Sequence, residues 1–524
     1  MSVYELVMVD SLGQERSLFY DPHTSTLERP RGTPYIEDKE QKKFSPVKRT
    51  SPENPGRKSK IAKRLRIQMG LKCNKGCSYC SQTIHVGDAK DTITADAKIF
   101  LKNVRNWFWG KPDKIEFWGG EPLLYWNKIK LLVEGLAPEY PDTQFIIITN
   151  GTLIDEEFID YVEKYNIGVG ISHDGPGQHL RGYDWNDEQV EVIRALLARR
   201  PGMVSFNSVI TPASHDVIAT IDYFKDRFGP DAKVEFEGVV SSYSHGDDSF
   251  TEAQYQVMRD SIVKLVARHQ SLGTIDQLPH SIISKMKDFV LSLKYGRPSY
   301  AVGQKCGMDR EDTIAIDLLG NVMTCQNTGS EPGGHRIGHA SQMADVKLDT
   351  SWHWSHRDEC RECPVLQTCK GACMYLPEGP DWFTTCTNEY HYNMAMMAGA
   401  LFCLTGWVLK EVKGRIARPD PAMLYQAADI TKKPVKKPAM YGRVWELKLL
   451  SDGSYSVVKV YDIDSSKDKV LVPEGDVVLP EALISGLEDP VVQRLALANI
   501  PRYIRDGTPV IRQVDGGFLW SLPC

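Results

Sequence analysis

The chain has 524 residues, 42% of them hydrophobic, so it is long enough to form several domains with buried cores. Its 63 lysine and arginine residues are balanced by 68 aspartate and glutamate residues, which argues against a nucleic-acid-binding protein that works through bulk positive charge. No secretory-type apolar segment is visible at the N-terminus, and the 12 cysteines then favour metal binding or catalysis over disulfides, in the cytoplasm.

The first 60 residues predict a β-hairpin followed by a linker. Tyr4–Val9 and Arg16–Tyr20 flank a turn at Ser11–Gly13. Residues 31–60 are rich in proline, serine and basic residues and lack apolar periodicity, which indicates a linker or an extended arm. The basic run is interpreted as a solvated tail, with a clamp on an acidic peptide as the weaker alternative. It consists of Lys42, Lys43, Lys48, Arg49, Arg57, Lys58 and Lys60.

A domain over residues 61–300 is predicted because short apolar strands alternate there with helical stretches. The predicted strands are Arg64–Met69, Lys114–Trp118, Gln144–Thr149, Gly168–Ser172, Val204–Ile210 and Lys233–Val239. Helices fit between them, such as Asp155–Tyr165 with Asp155 as N-cap, and a sixth is expected near Glu252–His269. Six βα units predict a parallel sheet, open or curled into a partial barrel, with functional residues just after the C-terminal ends of the strands.

Four motifs lie at those strand ends. They are Cys73-x3-Cys77-x2-Cys80, Gly119-Gly120-Glu121-Pro122, Thr149-Asn150-Gly151 and Ser172-His173-Asp174-Gly175-Pro176. Three thiolates in a tight loop can hold three irons of a [4Fe–4S] cluster and leave the fourth iron open, whereas electron-transfer clusters mostly take four cysteines. A zinc site completed by His85 is the alternative.

Residues 301–405 predict a small cysteine-rich domain that metal would order. Its seven cysteines read Cys306-x13-Gly320-x4-Cys325, then Cys360-x2-Cys363-x5-Cys369-x3-Cys373, then Cys386. The apolar stretch Met394–Leu409 is shorter than the roughly 18–20 residues that cross a bilayer, so it predicts a buried core helix.

Residues 406–524 predict a linker and a small β-rich region. The linker contains the basic, proline-rich run Lys432–Pro438. Trp445–Leu450 and Tyr455–Tyr461 flank Ser451-Asp452-Gly453-Ser454, a turn signal that predicts a second hairpin. Cys403 and Cys524 match no motif and are interpreted as free thiols.

The first cysteine motif, with Tyr79 before its last cysteine, resembles the radical S-adenosylmethionine (SAM) enzymes. The resemblance implies that SAM chelates the open iron and that the reduced cluster cleaves SAM to methionine and a 5′-deoxyadenosyl radical. That radical abstracts a hydrogen atom from the substrate.

The same resemblance implies how SAM is held. The glycine-rich segment lets the backbone approach the methionine amino group, and Glu121 accepts a hydrogen bond from it. Asn150 and Ser172 are expected at the ribose hydroxyls, and Arg181 is expected to pair with the SAM carboxylate. Tyr79 is expected near the adenine. The expected cofactor-binding residues are Tyr79, Gly119, Gly120, Glu121, Asn150, Ser172 and Arg181.

The seven-cysteine pattern resembles the SPASM domain, an extension of radical SAM enzymes that mature peptides and proteins. The resemblance implies two auxiliary [4Fe–4S] clusters. One would be ligated by Cys360, Cys363, Cys369 and Cys386, and the other by Cys306, Cys325 and Cys373. The second lacks a fourth thiolate, so either an iron is open or another residue fills the position. A histidine of the domain could fill it, and the candidates are His335, His339, His353 and His356; the alternative is that all four are ordinary loop histidines.

These resemblances imply an α/β fold: a partial (β/α)6 radical SAM barrel, a SPASM Fe–S domain and a β-rich C-terminal region. They imply a radical SAM oxidoreductase that modifies a peptide or protein, for example by a cross-link, with a flavodoxin or ferredoxin as reductant. No membrane or nucleic-acid partner is expected. The hairpins could dock a substrate leader by an exposed strand edge, or simply pack on the catalytic domains.

Three other functions are weighed against this one. Sulfatase maturation, which forms formylglycine, ranks lower because those enzymes carry an aspartate after the cysteine that matches Cys325, where this chain has Gln326, and an amide cannot act as that base. Small-molecule radical chemistry fits the complete seven-cysteine pattern less well. A multi-cluster electron carrier would not need an open three-cysteine site. No catalytic acid or base is assigned from the sequence.

Overall fold

The computed structural model describes residues 3–36, 42–82, 91–241, 249–331 and 334–414, and the strands at 441–449, 455–464, 477–479, 510–514 and 517–521. The chain divides into two compact units, Met1–Tyr425 and Gln426–Cys524. Four features of the sequence analysis lie outside the described residues: His85, the run Lys432–Pro438, the turn Ser451–Ser454 and Cys524.

Strands and helices alternate through the first unit. The described strands are β1 (Tyr4–Val9), β2 (Glu15–Asp21), β3 (Thr26–Arg29), β4 (Thr33–Pro34), β5 (Gly56–Arg57), β6 (Arg64–Gln68), β7 (Lys114–Trp118), β8 (Gln144–Thr149), β9 (Gly168–Ser172), β10 (Val204–Ile210), β11 (Val234–Val239), β12 (Thr313–Asp317), β13 (Asn321–Met323), β14 (Arg336–His339), β15 (Lys347–Leu348) and β16 (Val408–Lys413). The described α-helices are α1 (Thr94–Trp107), α2 (Trp126–Leu136), α3 (Glu156–Lys164), α4 (Asp187–Arg199), α5 (Val217–Phe228), α6 (Glu252–Leu272), α7 (His280–Tyr295), α8 (Asp358–Arg361), α9 (Leu366–Cys369) and α10 (Pro380–Thr405).

The central sheet confirms the predicted α/β fold. Strands β6 to β11 lie side by side in chain order and pair in parallel, as six βα units require. Four of these strands have the predicted bounds, and the first and last are each one residue shorter. Helix α3 begins as expected, since the Asp155 carboxylate accepts a hydrogen bond from the Phe158 amide at 2.8 Å.

The cysteine-rich region adds three strands to this sheet. Strand β12 pairs in parallel with β6, from Thr313 opposite Arg64 to Asp317 opposite Gln68, and β13 and β14 continue antiparallel beyond it. The sheet therefore continues across residue 300, and the domain boundaries at 60, 300 and 405 stay predictions. Strand β12 lies between Cys306 and Cys325 in the chain. Its pairing therefore brings the segment that joins these two cysteines next to β6, the strand that leads to Cys73.

The N-terminal hairpin is confirmed, and it is part of a larger sheet. Strand β1 pairs with β2 on one side and with β16 on the other, in a five-stranded sheet that β3 and β4 complete. The segment after it packs on the cysteine-rich region, where β5 pairs with β15.

The prediction of a solvated basic tail is wrong for Lys58. Its side chain is only 5% exposed. The ammonium donates hydrogen bonds to the carbonyl oxygens of Met308, Arg310 and Thr313 at 2.5, 2.9 and 2.8 Å. Three carbonyl groups of one loop satisfy this cation, which explains how a lysine is buried there.

Helix α10 confirms the predicted core helix and corrects its end. Met394 to Leu401 are buried, and the helix packs on α6 and α7. It ends at Thr405, because Gly406 takes a left-handed C-cap, so the last two residues of the predicted stretch belong to β16. In the part of the chain that the structure describes, no helix is long and apolar enough to cross a membrane.

The second unit is β-rich in its described residues. Strands β17 (Tyr441–Leu449) and β18 (Tyr455–Asp464) pair antiparallel, which confirms the second predicted hairpin. Three further strands, β19 (Val477–Leu479), β20 (Val510–Val514) and β21 (Gly517–Ser521), form an antiparallel sheet with β21 in the middle.

Candidate active site and cysteine groups

A cavity of about 530 Å³ opens at the C-terminal ends of the parallel strands. It brings together the three cysteines of the first motif and the seven residues expected to hold SAM. These lining residues are Cys73, Cys77, Cys80, Tyr79, Gly119, Gly120, Glu121, Asn150, Ser172 and Arg181. The position agrees with the rule that sites in parallel α/β sheets lie beyond the carboxyl ends of the strands.

The glycines after β7 are required by the approach of two backbone segments. A Cβ atom on Gly119 would lie 2.5 Å from the Gly70 carbonyl oxygen, and one on Gly120 would lie 2.3 Å from that of Lys72. The amides of Gly120 and Glu121 donate to the same two carbonyls, at 3.0 and 2.8 Å. The segment therefore fixes the start of the three-cysteine loop, a role that the sequence analysis did not assign to it.

Glu121 is buried and held by three donors. Its carboxylate accepts hydrogen bonds from the amide of Leu123 (2.9 Å), the hydroxyl of Thr149 (2.7 Å) and the amide of Asn150 (2.7 Å). Burial nevertheless raises the pKa of Glu121, because the three donors do not fully offset desolvation. A cationic amine placed against this carboxylate would be stabilised.

The two residues expected at the ribose differ in their present contacts. The Asn150 amide donates to the Asn74 side chain at 2.8 Å and accepts from the Thr152 amide at 3.0 Å, so it is fixed in orientation. Ser172 ends β9 on the cavity wall, and its hydroxyl has no hydrogen-bond partner among the described residues.

Arg181 is anchored by a carboxylate to which the sequence analysis gave no role. Its Nε lies 3.0 Å from Oδ2 of Asp174, and the Tyr79 hydroxyl donates to the same oxygen. Asp174 is fully buried and also accepts from the Val209 amide at 2.9 Å. Burial, with the Asp174 charge, raises the pKa of Tyr79 well above its usual range. The trio fixes one wall of the cavity, and Arg181 lines the cavity beside it.

The thiols of the first motif lie close enough for their charges to change one another's pKa. Burial raises the pKa of Cys77 to about 11, and the negative charges of Cys80 and Cys73 add to the effect although Arg181 opposes it. Three thiolates this close need a cationic centre to compensate them, so the donor set fits an iron–sulfur cluster. Across the described ranges, no three or more histidine, cysteine or acidic side chains gather closely enough for a single metal ion.

The later cysteines form two groups. Burial raises the pKa of Cys360 well above its usual range, and the charges that add to this are those of Cys386, Cys369 and Cys363. Burial likewise raises the pKa of Cys325, where Cys373 and Cys306 act in the same direction. The thiols that act on Cys360 and on Cys325 are those of the two ligand sets that the resemblance implies, although Cys373 also packs in one cluster with Cys360 and Cys386, and both sets stay predictions.

The four histidines named as further ligands have other hydrogen-bond partners. His353 and His339 lie against the carbonyl oxygens of Val302 (3.1 Å) and Leu319 (2.9 Å). The remaining contacts join His335 to the Thr324 hydroxyl at 3.1 Å and His356 to the Arg49 carbonyl at 3.4 Å.

Asp309 is a candidate ligand that the sequence analysis missed. It lies three residues after Cys306 and acts electrostatically on that thiol. Its Oδ1 is buried without a hydrogen-bond partner, while Oδ2 accepts from the Gln304 amide at 3.1 Å. The signal in the sequence was its short spacing from Cys306.

Gln326 is fixed by the central sheet. The Arg66 guanidinium, paired with Glu116 at 2.8 Å, donates to the Gln326 side-chain oxygen at 2.7 Å. The neighbouring Asn327 lines the cavity and accepts from the Trp118 indole at 2.7 Å. The position after Cys325 therefore supplies a fixed amide and no titratable group.

Glu237 is the carboxylate that a β-bulge directs at the cavity. Ser208 pairs with Phe236 and Val209 with Gly238, so Glu237 is an extra residue in β11. Its side chain lines the cavity and has no hydrogen bond or ion pair within the described ranges. The side chain is exposed to the open cavity, where the surrounding protein still raises the pKa of Glu237 by desolvation, with the Arg181 charge in opposition. Nothing in the alternation of β11 in the sequence signals the bulge.

Comparison with known proteins finds a family match over the part of the chain that contains the three-cysteine loop and the glycine-rich segment. Residues 67–223 match the Radical SAM superfamily. This chain contains a radical SAM domain. Such a domain implies a [4Fe–4S] cluster that binds SAM, and SAM itself.

Two curated proteins are similar to this chain, and the similarity covers a different share of each. The radical SAM cyclopropyl synthase TigE of Paramaledivibacter caminithermalis is 29% identical over 182 residues, which are 31% of this chain and 37% of that protein. The serine-type anaerobic sulfatase-maturating enzyme of Klebsiella aerogenes is 22% identical over 330 residues, 58% of this chain and 78% of that enzyme. The match thus spans little more than a third of the synthase.

Among solved structures, anSMEcpe with bound AdoMet and the Cp18Cys peptide is similar with a TM-score of 0.49 and 18% identity. The similarity covers 66% of this chain and 98% of that one.

Proposed function

We propose that this protein is a radical SAM enzyme that oxidatively modifies a peptide or protein side chain. One observation carries the proposal: a single cavity contains the three-cysteine loop, the strand ends of the SAM type and side chains of the cysteine-rich region, Lys305 and Asn327. Under this proposal, the site for radical chemistry borders a region that contains seven further cysteines.

The residues of the cavity have separable tasks under this proposal. Cys73, Cys77 and Cys80 would hold the cluster, which when bound would provide the electron for reductive cleavage of SAM. Glu121 holds the amino group of SAM, Ser172 offers a hydroxyl to the ribose, and the anchored Arg181 faces the carboxylate. The enclosing strand ends exclude water from the radical.

Glu237 is the proton-transfer group that this proposal assigns. Oxidation of a substrate radical releases a proton, and a carboxylate directed at the cavity can accept it at an oxygen atom. Gln326 cannot do so, since its amide is not basic. The raised pKa of Glu237 brings its proton affinity closer to neutral pH.

The two later cysteine groups support an oxidative modification. A SPASM-type region with two auxiliary clusters would accept the electron that a net oxidation leaves, and a flavodoxin or ferredoxin would deliver the electron that starts each turnover. Cross-link formation on a peptide fits this electron count, and the SPASM pattern supports a peptide over a small molecule.

The proposal is tested by anaerobic incubation of the reconstituted protein with SAM and dithionite. We expect 5′-deoxyadenosine to form, and Cys73→Ala to reduce it at least 100-fold because the loop would hold only two thiolates. Cys403→Ala is the matched control, since this helix thiol belongs to neither cysteine group. Equal product from Cys73→Ala and wild type would overturn the proposal.

Sulfatase maturation is the second candidate, favoured by the relative from Klebsiella aerogenes. The fixed amide of Gln326 weighs against it, because that position lacks a base. Incubation of the loaded protein with a serine- or cysteine-containing sulfatase peptide separates the two. Formylglycine in the peptide supports the second candidate, and unmodified peptide beside 5′-deoxyadenosine formation supports the first.

A further inference from the structure

Arg357 is among the largest fully buried side chains of the described structure. It precedes helix α8, three residues before Cys360, and only 2% of its surface is exposed. Its guanidinium carbon lies 4.4 Å from the centroid of the Trp382 ring. A cation is thus held inside the cysteine-rich region.

The guanidinium is only partly satisfied. Its Nη2 donates to the carbonyl oxygens of Cys373 and Leu376 at 3.1 and 2.8 Å. Its Nε and Nη1 are buried without a hydrogen-bond partner, and no carboxylate of the described residues forms an ion pair with it. A buried charge with unsatisfied N–H groups is strongly unfavourable, so a missing anionic partner is indicated.

The surroundings identify where that anion lies. Trp382, beneath the guanidinium, packs in one apolar cluster with Cys360, Cys373 and Cys386. The largest negative influences on Arg357 are Cys360, Cys373, Glu378 and Cys386, and the charge of Glu359 is coupled to it more weakly. Trp382 also has an indole N–H that is buried without a partner, and it lies one helical turn before Cys386. Two sets of unsatisfied donors therefore lie beside the same thiols.

We propose that Arg357 is the buried counter-ion and N–H donor of an iron–sulfur cluster held by Cys360, Cys363, Cys369 and Cys386, and that it raises the reduction potential of this cluster. This rests on the auxiliary cluster of the proposed function. A cluster gains negative charge on reduction, so a nearby cation and N–H groups directed at its sulfurs stabilise the reduced form.

Lys305 shows why Arg357 is the residue to single out. Lys305 is a second cation near the same region, influenced by Cys369 and Cys373. However, it forms an ion pair with the buried carboxylate of Glu389, which compensates its charge. Arg357 forms no such ion pair within the described residues, and the carboxylates that act on it from a distance, Glu378 and Glu359, leave Cys360 and Cys373 as the larger negative influences on its charge.

The test is a potentiometric titration followed by electron paramagnetic resonance, in a Cys73→Ala/Cys77→Ala/Cys80→Ala background that lacks the SAM-binding cluster. We expect Arg357→Gln to lower the midpoint potential of one auxiliary cluster by at least about 59 mV, which is a tenfold decrease in the equilibrium constant of a one-electron reduction. Arg357→Lys, which keeps the charge, should lower it less. Arg361→Gln is the matched control, since Arg361 is exposed and its charge is screened by water.

Iron content decides the outcome for a variant that loses the cluster, because such a variant has no midpoint potential to measure. If Arg357→Gln loses about four irons while Arg357→Lys retains them, the counter-ion role is supported. Unchanged midpoints in Arg357→Gln, an equal shift in Arg361→Gln, loss of the cluster in Arg357→Lys, or no iron bound in the starting background would each overturn it. Because no peptide is needed, this test can fail while 5′-deoxyadenosine formation by the wild type still stands.

Discussion

Gly120 determines how the three-cysteine loop is seated on the sheet. Because an added Cβ would lie 2.3 Å from the Lys72 oxygen and 2.4 Å from that of Leu71, and both are backbone atoms, Gly120→Ala must displace the start of the loop. We expect a loss of about 1–3 kcal/mol in the free energy of unfolding, and a loss of about four irons per chain. Chemical denaturation and iron analysis measure the two effects.

Gly76 provides the control for this substitution. It lies in the same loop, between Cys73 and Cys77, yet an added Cβ would meet nothing within 4 Å. Gly76→Ala should therefore keep both stability and iron. If the two variants behave alike, the close approach of the backbone segments is not what makes Gly120 necessary. The motif itself was visible in the sequence, whereas this packing reason depended on which carbonyl groups lie opposite.

Strand β5 and Lys58 attach the N-terminal arm to the cysteine-rich region. Lys58→Ala would leave three carbonyl groups of the 308–313 loop without their donor, and we expect a loss of about 2–4 kcal/mol in the free energy of unfolding. Arg57→Ala, at the exposed preceding position in β5, should change it by less than about 0.5 kcal/mol. Urea denaturation compares them, and equal losses would mean that the arm is held by its backbone alone.

The titration of Lys58 makes the stability of this attachment depend on pH. Burial lowers its pKa to about 8, so between pH 8 and its usual range near 10.5 the unfolded chain binds more protons than the folded one. The free energy of unfolding of the wild type should therefore rise with pH across this window relative to Lys58→Ala, and be independent of this group below it. If the free energy of unfolding depends on pH in the same way in the wild type and in Lys58→Ala, the Lys58 ammonium is solvated and the prediction is wrong.

The elements that the sequence predicted well are those with a local signal. Apolar runs bounded by turns predicted β7 to β10 to the residue, and an N-cap aspartate predicted the start of α3. The pairing of β12 with β6 was missed because their partners lie about 250 residues apart, and periodicity carries no information on which strand pairs with which. The bulge at Glu237 was missed because it depends on the pairing with β10. The Asp174 carboxylate beneath Arg181 is only seven residues away, and it was missed because the turn that brings the two side chains together has no signal in the periodicity.

That pairing predicts how the molecule responds to truncation. A chain ending at residue 300 would lack β12 and so expose the edge of β6, the strand that leads into the three-cysteine loop. A chain ending at Tyr425 would keep every residue that lines the cavity and also β16, the partner of β1. We expect the first to lose cooperative unfolding and most of its iron, and the second to retain about twelve irons and 5′-deoxyadenosine formation. Calorimetry, iron analysis and product assay distinguish them, and cooperative unfolding of the shorter chain with bound iron would show that the radical SAM domain folds without its cysteine-rich neighbour.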